Sequence, residues 1–157
     1  MSIEVRVPGF GLLDLAHLVV DFNGTLAIDG RLLPGVKRRL DRLTRTLHIH
    51  VMTADTFGKA RASLAGLDCR LEILAGGAEE RAKAAYVRRL GADRVACIGN
   101  GRNDRLMLRT ARLGLAVIQA EGAAAQTLAA ADLVLPSIID ALDLFRKPRR
   151  LVAALRS

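Results

Sequence analysis

Six short runs of apolar, largely β-branched residues recur along the chain: LVVDF (18–22), HIHVMT (48–53), RLEIL (70–74), RVACIG (94–99), LAVIQ (115–119) and DLVLP (132–136). Between them lie segments with helical hydrophobic spacing, near 35–46, 56–65, 78–90, 104–112 and 123–130. A last helical stretch, 138–156, carries Pro148 as a break or a new helix start. Strands that are apolar throughout must be buried on both faces. The pattern therefore predicts a mostly parallel α/β sheet between two helical layers, joined by right-handed crossovers. IEVRVPGFG alternates and then turns at Pro8-Gly9, which predicts an extra antiparallel edge strand within residues 1–16. LAIDGRLL sets Asp29-Gly30 between apolar flanks, a hairpin signal. With no repeat or linker, residues 1–157 read as one domain.

Composition narrows the function classes. No apolar run approaches the roughly 20 residues that span a bilayer, and MSIEVRVPGFG has no signal-peptide pattern. Cys69 and Cys97 sit in apolar runs and read as small buried side chains in a reducing compartment, so a cytoplasmic protein is expected. The net charge of +8 raises the question of nucleic acid. In VKRRLDRLTRTL, however, Val36, Leu40, Leu43 and Leu47 share one helical face, which leaves Lys37, Arg38, Arg42 and Arg45 to solvent. Aromatics are only 3% of the chain, too few for a base-stacking platform. Nucleic acid is not an expected partner, although the arginine surface keeps RNA binding among the alternatives.

In open α/β sheets ligands bind beyond the carboxyl ends of the strands. Four polar signals fall at that edge. Asp21 ends the first core strand, with Gly24 and Thr25 just beyond. Thr53 ends the next, followed by Asp55, a candidate cap for a helix starting near Thr56. Lys83 sits early in the helix before RVACIG, and GNGRND (99–104) follows that strand. A carboxylate nucleophile, a hydroxyl, an ammonium and an acidic turn at one edge are what phosphoryl transfer through an aspartyl-phosphate requires. A Mg²⁺ held by oxygens would neutralise charge between carboxylate and phosphate.

The same residues carry a family resemblance. DFNGTL resembles the first motif of the haloacid dehalogenase (HAD) superfamily, D-x-D-G-T, and VMT resembles its second. Lys83 resembles the third, and IGNGRNDRLML the fourth, usually G-D-G-x-N-D. GAAAQTLAAADLVLPSIIDAL is similar to the stretch that follows in these proteins, so the resemblance runs from about 17 to 145. MTADTFGKA brings it near the phosphorylation domain of P-type ATPases, with D-K-T-G-T, T-G-D and G-D-G-x-N-D, as a stand-alone relative without the ion-pumping parts. The resemblance implies a three-layer, Rossmann-like HAD fold. It implies Asp21 as nucleophile and Mg²⁺ ligand, the Asn23 carbonyl as a second ligand, and Asn100 and Asp104 at the metal. Thr53 and Lys83 would hold phosphate, with Gly24 and Ala54 in its cradle and Asn103 bonding the cradle or the phosphate. Family cap domains enter after the first motif or between the second and third. Here a hairpin and one helix fill the first interval, and helix, strand and helix start fill the second. Neither leaves room for a cap. The site should be open, with the hairpin 25–33 as its flap and a homo-oligomer as one way to cover it.

Two family acids are amides here. An Asp at position 23 would protonate the leaving group and then activate water, and Asn23 does neither. Such help is worth about 10²–10⁴-fold, so hydrolysis should be slow by that order. Asn100 removes one negative charge from the metal shell and should weaken Mg²⁺ binding. The expected function is a slow Mg²⁺-dependent phosphatase acting on a phosphorylated small molecule or macromolecule. Alternatives are a phosphate-binding or regulatory module of the same fold, or a different reaction on it such as phosphotransfer.

Overall fold

A computed structural model describes residues 1–54 and 58–157. In chain order the strands are β1 (Ile3–Val7), β2 (Gly11–Leu15), β3 (His17–Asp21), β4 (Ala27–Ile28), β5 (Arg31–Leu32), β6 (His48–Thr53), β7 (Cys69–Ile73), β8 (Val95–Gly99), β9 (Leu113–Val117) and β10 (Leu133–Leu135). The helices are α1 (Val36–Leu43), α2 (Lys59–Ser63), α3 (Glu79–Leu90), α4 (Arg105–Thr110), α5 (Ala125–Ala130), α6 (Ile138–Arg146) and α7 (Pro148–Leu155). The six predicted strands form one parallel sheet in the order β10-β9-β8-β3-β6-β7. This is the three-layer α/β arrangement read from the apolar runs. Asp55 and Thr56, the expected cap and helix start, lie outside the described residues.

Alternation along the strands feeds two cores. Leu18 and Val20 of β3 join Ile49, Val51, Ala96 and Ile98 under α1 and α6. Val19 turns the other way, with Met52, Val95 and Cys97, against Tyr86, Val87, Met107 and Leu108 of α3 and α4. In α1 the buried residues are Val36, Leu40 and Leu43, as the helical spacing requires, while Lys37, Arg38 and Arg42 are exposed. Both cysteines are free thiols, Cys97 buried and Cys69 half-buried. Pro148 opens α7 at its first turn, where a missing N–H costs nothing. Among the described residues no helix is long and apolar enough to cross a membrane.

The N-terminal expectation needs correction. Residues 1–16 do not add an edge strand to the main sheet. β1 turns at Gly9 (φ 79) and pairs antiparallel with β2, from Ile3↔Leu15 to Val7↔Gly11, as a separate two-stranded sheet. Leu13 and Leu15 are buried in the same core as Leu18, and α7 lies against β1. A strand pairs most cheaply with its neighbour in sequence, and GLLDL provides that neighbour.

The chain passes from β3 outward to β6 and β7, then returns through α3 to β8 on the opposite side of β3. The strand order thus reverses at β3, and a crevice opens beyond its carboxyl end. Among the described residues only the β4–β5 hairpin and α1 separate β3 from β6, and only α2 and β7 separate β6 from α3. The hairpin turn holds Asp29 at φ 53 and Gly30 at φ 76, two consecutive left-handed residues as a type I′ turn demands.

Candidate active site

Asp21 is the last residue of β3, and the chain turns sharply after it. The Phe22 carbonyl accepts from the N–H groups of Thr25, Leu26 and Ala27 at 3.3, 3.0 and 3.0 Å. Gly24, at φ 79, makes the turn, and a β-carbon there would collide with the side chains of Glu121 and Asn100. Gln119, just past β9, clamps the turn from outside. Its Nε2 donates to the carbonyls of Gly24 (3.0 Å) and Thr25 (2.9 Å), and its Oε1 accepts from the Ile138 N–H at 2.8 Å.

Buried charge gathers around the nucleophile candidate. Lys83, on the inner face of α3 and 1% exposed, donates to Asp21 Oδ1 and Asp104 Oδ1, both at 2.7 Å. It also reaches Asn103 Oδ1 at 3.4 Å. Asp104 Oδ2 accepts from the Asn100 and Gly101 N–H groups, each at 3.0 Å, and Gly99 lacks a side chain where Asp104 packs. Both oxygens of Asp104, expected at the metal, are therefore engaged in holding Lys83 and the 99–101 turn.

Two carboxylates around one ammonium leave the fully ionised cluster with an excess negative charge. Burial, then the Asp104 carboxylate, raise the Asp21 carboxyl to about 7 against the opposing pull of Lys83 and Thr25. Burial alone would weaken the hold of Lys83 on its proton. Asp21 and Asp104 together outweigh it, and the ammonium is held more firmly than in an ordinary lysine.

The predicted residues converge on one cleft of about 170 Å³, lined by Asp21, Asn23, Ala54, Lys83, Asn100, Gly101 and Asn103. Thr53 is buried at the end of β6, and its Oγ1 accepts from Asn23 Nδ2 at 3.4 Å. Gly24 and Thr25 form the turn beside the cleft. Two lining residues were not anticipated from the sequence, Glu79 and Glu121. Glu79 Oε2 accepts from Asn103 Nδ2 at 2.7 Å. It lies four residues before Lys83, on the same helical face, and that spacing could have found it. Glu121 follows β9 at the carboxyl edge in a Glu-Gly turn, the one local signal it carried.

Among the described residues no three acidic, histidine or cysteine side chains form a ready ligand set. The oxygens present do suit a hard cation. The Thr25 hydroxyl faces both Asp21 Oδ2 (3.4 Å) and Asn100 Oδ1 (3.2 Å), and its single hydrogen serves one at a time. A buried carboxylate oxygen and an amide oxygen thus share one donor. Mg²⁺ accepts such mixed oxygens and keeps several waters.

No family model matches the chain. An uncharacterised protein of Methanocaldococcus jannaschii, MJ0073, is 40% identical over 84 residues, 51% of this chain and 90% of that protein. Among solved structures, the 3-deoxy-D-manno-octulosonate 8-phosphate phosphatase of Moraxella catarrhalis superposes with a TM-score of 0.69 at 17% identity, covering 89% of this chain and 90% of that one. That structure holds magnesium, phosphate and KDO. The catalytic domain of the CPx-ATPase CopB-B superposes with a TM-score of 0.61 at 23% identity over 74% of this chain and 46% of that one. The chain belongs to one family with the Methanocaldococcus jannaschii protein MJ0073, and it has the fold of the HAD hydrolases, one it shares with the catalytic domain of the CPx-ATPase.

Proposed function

We propose that the chain is a phosphatase-type hydrolase that accepts a phosphoryl group on Asp21 and releases it slowly. The observation that carries this reading is Lys83 set between Asp21 and Asp104, 2.7 Å from each, at the reversal point of the sheet. An isolated structural ion pair does not need a second carboxylate, a hydroxyl and an open cleft beside it. The fold shared with HAD phosphatases supports the same reading.

In the first step an Asp21 carboxylate oxygen attacks phosphorus, the bond to the leaving oxygen breaks, and an aspartyl-phosphate forms. Beyond its bonds to Asp21 and Asp104, Lys83 keeps one N–H, turned to Asn103 Oδ1 at 3.4 Å, and that N–H would meet a phosphoryl oxygen. Thr53 and the backbone at Ala54 would complete the cradle, whereas the Gly24 N–H, expected there, donates instead to the Ala27 carbonyl at 2.7 Å. Asn103 holds Lys83 on one side and Glu79 on the other. When bound, Mg²⁺ neutralises charge between carboxylate and phosphoryl group, and Asp21, the Asn23 carbonyl and Asn100 are the residues to hold it. In the second step water attacks phosphorus, the bond from phosphorus to the Asp21 oxygen breaks to return the carboxylate, inorganic phosphate leaves, and solvent takes the proton of the attacking water.

Asn23 has no proton to give the leaving oxygen and no base for the water. Its amide instead bonds Thr53. This favours a long-lived phosphoenzyme, and with it a second reading, a module whose phosphorylated or phosphate-bound state is itself the output. Phosphate release from an aryl phosphate, assayed with and without Mg²⁺, tests the first reading. Release should require Mg²⁺ and vanish in Asp21→Asn. No release at high protein concentration, with phosphate still bound, would favour the module.

A further inference from the structure

Asn100 stands where the family supplies an acid, and both oxygens of Asp104 are engaged. On the residues assigned so far, a divalent cation would face one carboxylate, Asp21. Glu121 changes that count. The space vacated by the missing side chain of Gly24 is bounded by Asn100 Nδ2 and Oδ1 and by Glu121 Oε2. The acid and the amide thus lie together over the nucleophile turn, next to the point where Asp21 Oδ2 and Asn100 Oδ1 meet the Thr25 hydroxyl.

The placement is built. Gly122 N–H donates to the Gln119 carbonyl at 2.8 Å, which closes the turn that carries Glu121. Asn100 Nδ2 donates to the Gly122 carbonyl at 3.0 Å, and the Ala124 N–H donates to the Asn100 carbonyl at 2.9 Å. Gln119 ties the same turn to Gly24 and Thr25. Glu121 itself forms no hydrogen bond or ion pair among the described residues, in a chain of net charge +8. A turn anchored at both ends thus presents one uncommitted carboxylate to the cleft, beside Asn100.

We propose that Glu121 supplies the carboxylate that Asn100 lacks, so that Asp21, Asn100 and Glu121 together hold a divalent cation. The ligand has moved from the turn after β8 to the turn after β9, and the site recovers two acidic oxygens for a hard cation that prefers them. This inference rests on the metal-assisted reading above. It is tested by titrating Mg²⁺ into the full chain by calorimetry, with no substrate present. Glu121→Gln should weaken binding at least about tenfold and leave the metal-free melting temperature unchanged, because the side chain is exposed and unbonded. Asn100→Asp in the same chain should restore affinity. Glu79→Gln removes the same charge from the same cleft and should leave affinity near wild type. Equal affinity in Glu121→Gln and wild type, equal loss in Glu79→Gln, or no rescue by Asn100→Asp would overturn the role of Glu121. In those cases Mg²⁺ binding that still depends on Asp21 keeps the metal-assisted reading. A wild-type chain that binds no Mg²⁺ at all would overturn both.

Discussion

Replacing Lys83 by Met removes the ammonium and keeps much of the apolar stem. The substitution leaves Asp21 and Asp104 facing one another at 7% and 0% exposure, with no cation between them. Deleting one partner of a buried ion pair costs about 3–5 kcal/mol, because the remaining charge is uncompensated. Against a total of about 5–15 kcal/mol for a typical domain, that is a large share. The loss depends on pH. Without the opposing charge of Lys83 the Asp21 carboxyl is raised further in the folded state, above its unfolded value. Stability from a raised carboxyl is present at low pH and lost as pH rises through the raised value. Asp21 is already raised to about 7 with the lysine in place. The deficit should therefore approach the full 3–5 kcal/mol near pH 8, by the same estimate, and shrink well below it near pH 5, where Asp21 is protonated and carries no uncompensated charge. Urea unfolding at the two pH values, in chelator so that no metal replaces the ammonium, measures it. A loss that is the same at both pH values, or below about 1 kcal/mol at pH 8, would refute the buried cluster as the organising charge of the site.

Asn23→Asp should speed decay of a preformed phosphoenzyme by about 10²–10⁴-fold in a rapid-quench experiment; unchanged decay would show that Asn23 is not the bottleneck. Gly24→Ala should cost about 1–3 kcal/mol in thermal unfolding, through left-handed strain and collision with Glu121 and Asn100. A neutral result would mean that the turn relaxes freely. Asp21 must be ionised to attack, and its carboxyl is raised to about 7. Single-turnover phosphoryl transfer at limiting Mg²⁺ should therefore rise with pH through neutrality and level off above it. Saturating Mg²⁺, which favours the carboxylate, should move the inflection to lower pH, and a flat profile at limiting Mg²⁺ would contradict this.

The sheet was legible because a strand buried on both faces leaves no alternation to confuse with a surface strand, and β3, β6 and β8 are such strands. The Asp29-Gly30 hairpin was legible because two consecutive left-handed residues require that chemistry. The N-terminal hairpin was misread because its second strand, GLLDL, is short and has a partly exposed face, so only its first half looked like a strand. Asp21 and the 99–104 turn could be grouped because each sits at the carboxyl end of a strand, and Lys83 because it lies early in the helix that leads into β8. Gln119 and Glu121 could not. Their importance comes from a turn after β9 folding back over Gly24, and nothing in local spacing records that contact. The pairing of Asp104 with Lys83 and two backbone N–H groups was hidden for the same reason, since spacing places a carboxylate at an edge and cannot say which donors reach it.

Phosphorylation of Asp21 is the central claim, and one measurement tests it directly. The chain is incubated with Mg²⁺ and acetyl phosphate, quenched in acid, digested and sequenced by mass spectrometry. The account predicts a phosphoryl adduct on Asp21, slow to clear in wild type, short-lived in Asn23→Asp and absent in Asp21→Asn. An adduct elsewhere, or none in any variant while phosphate binds, would contradict it.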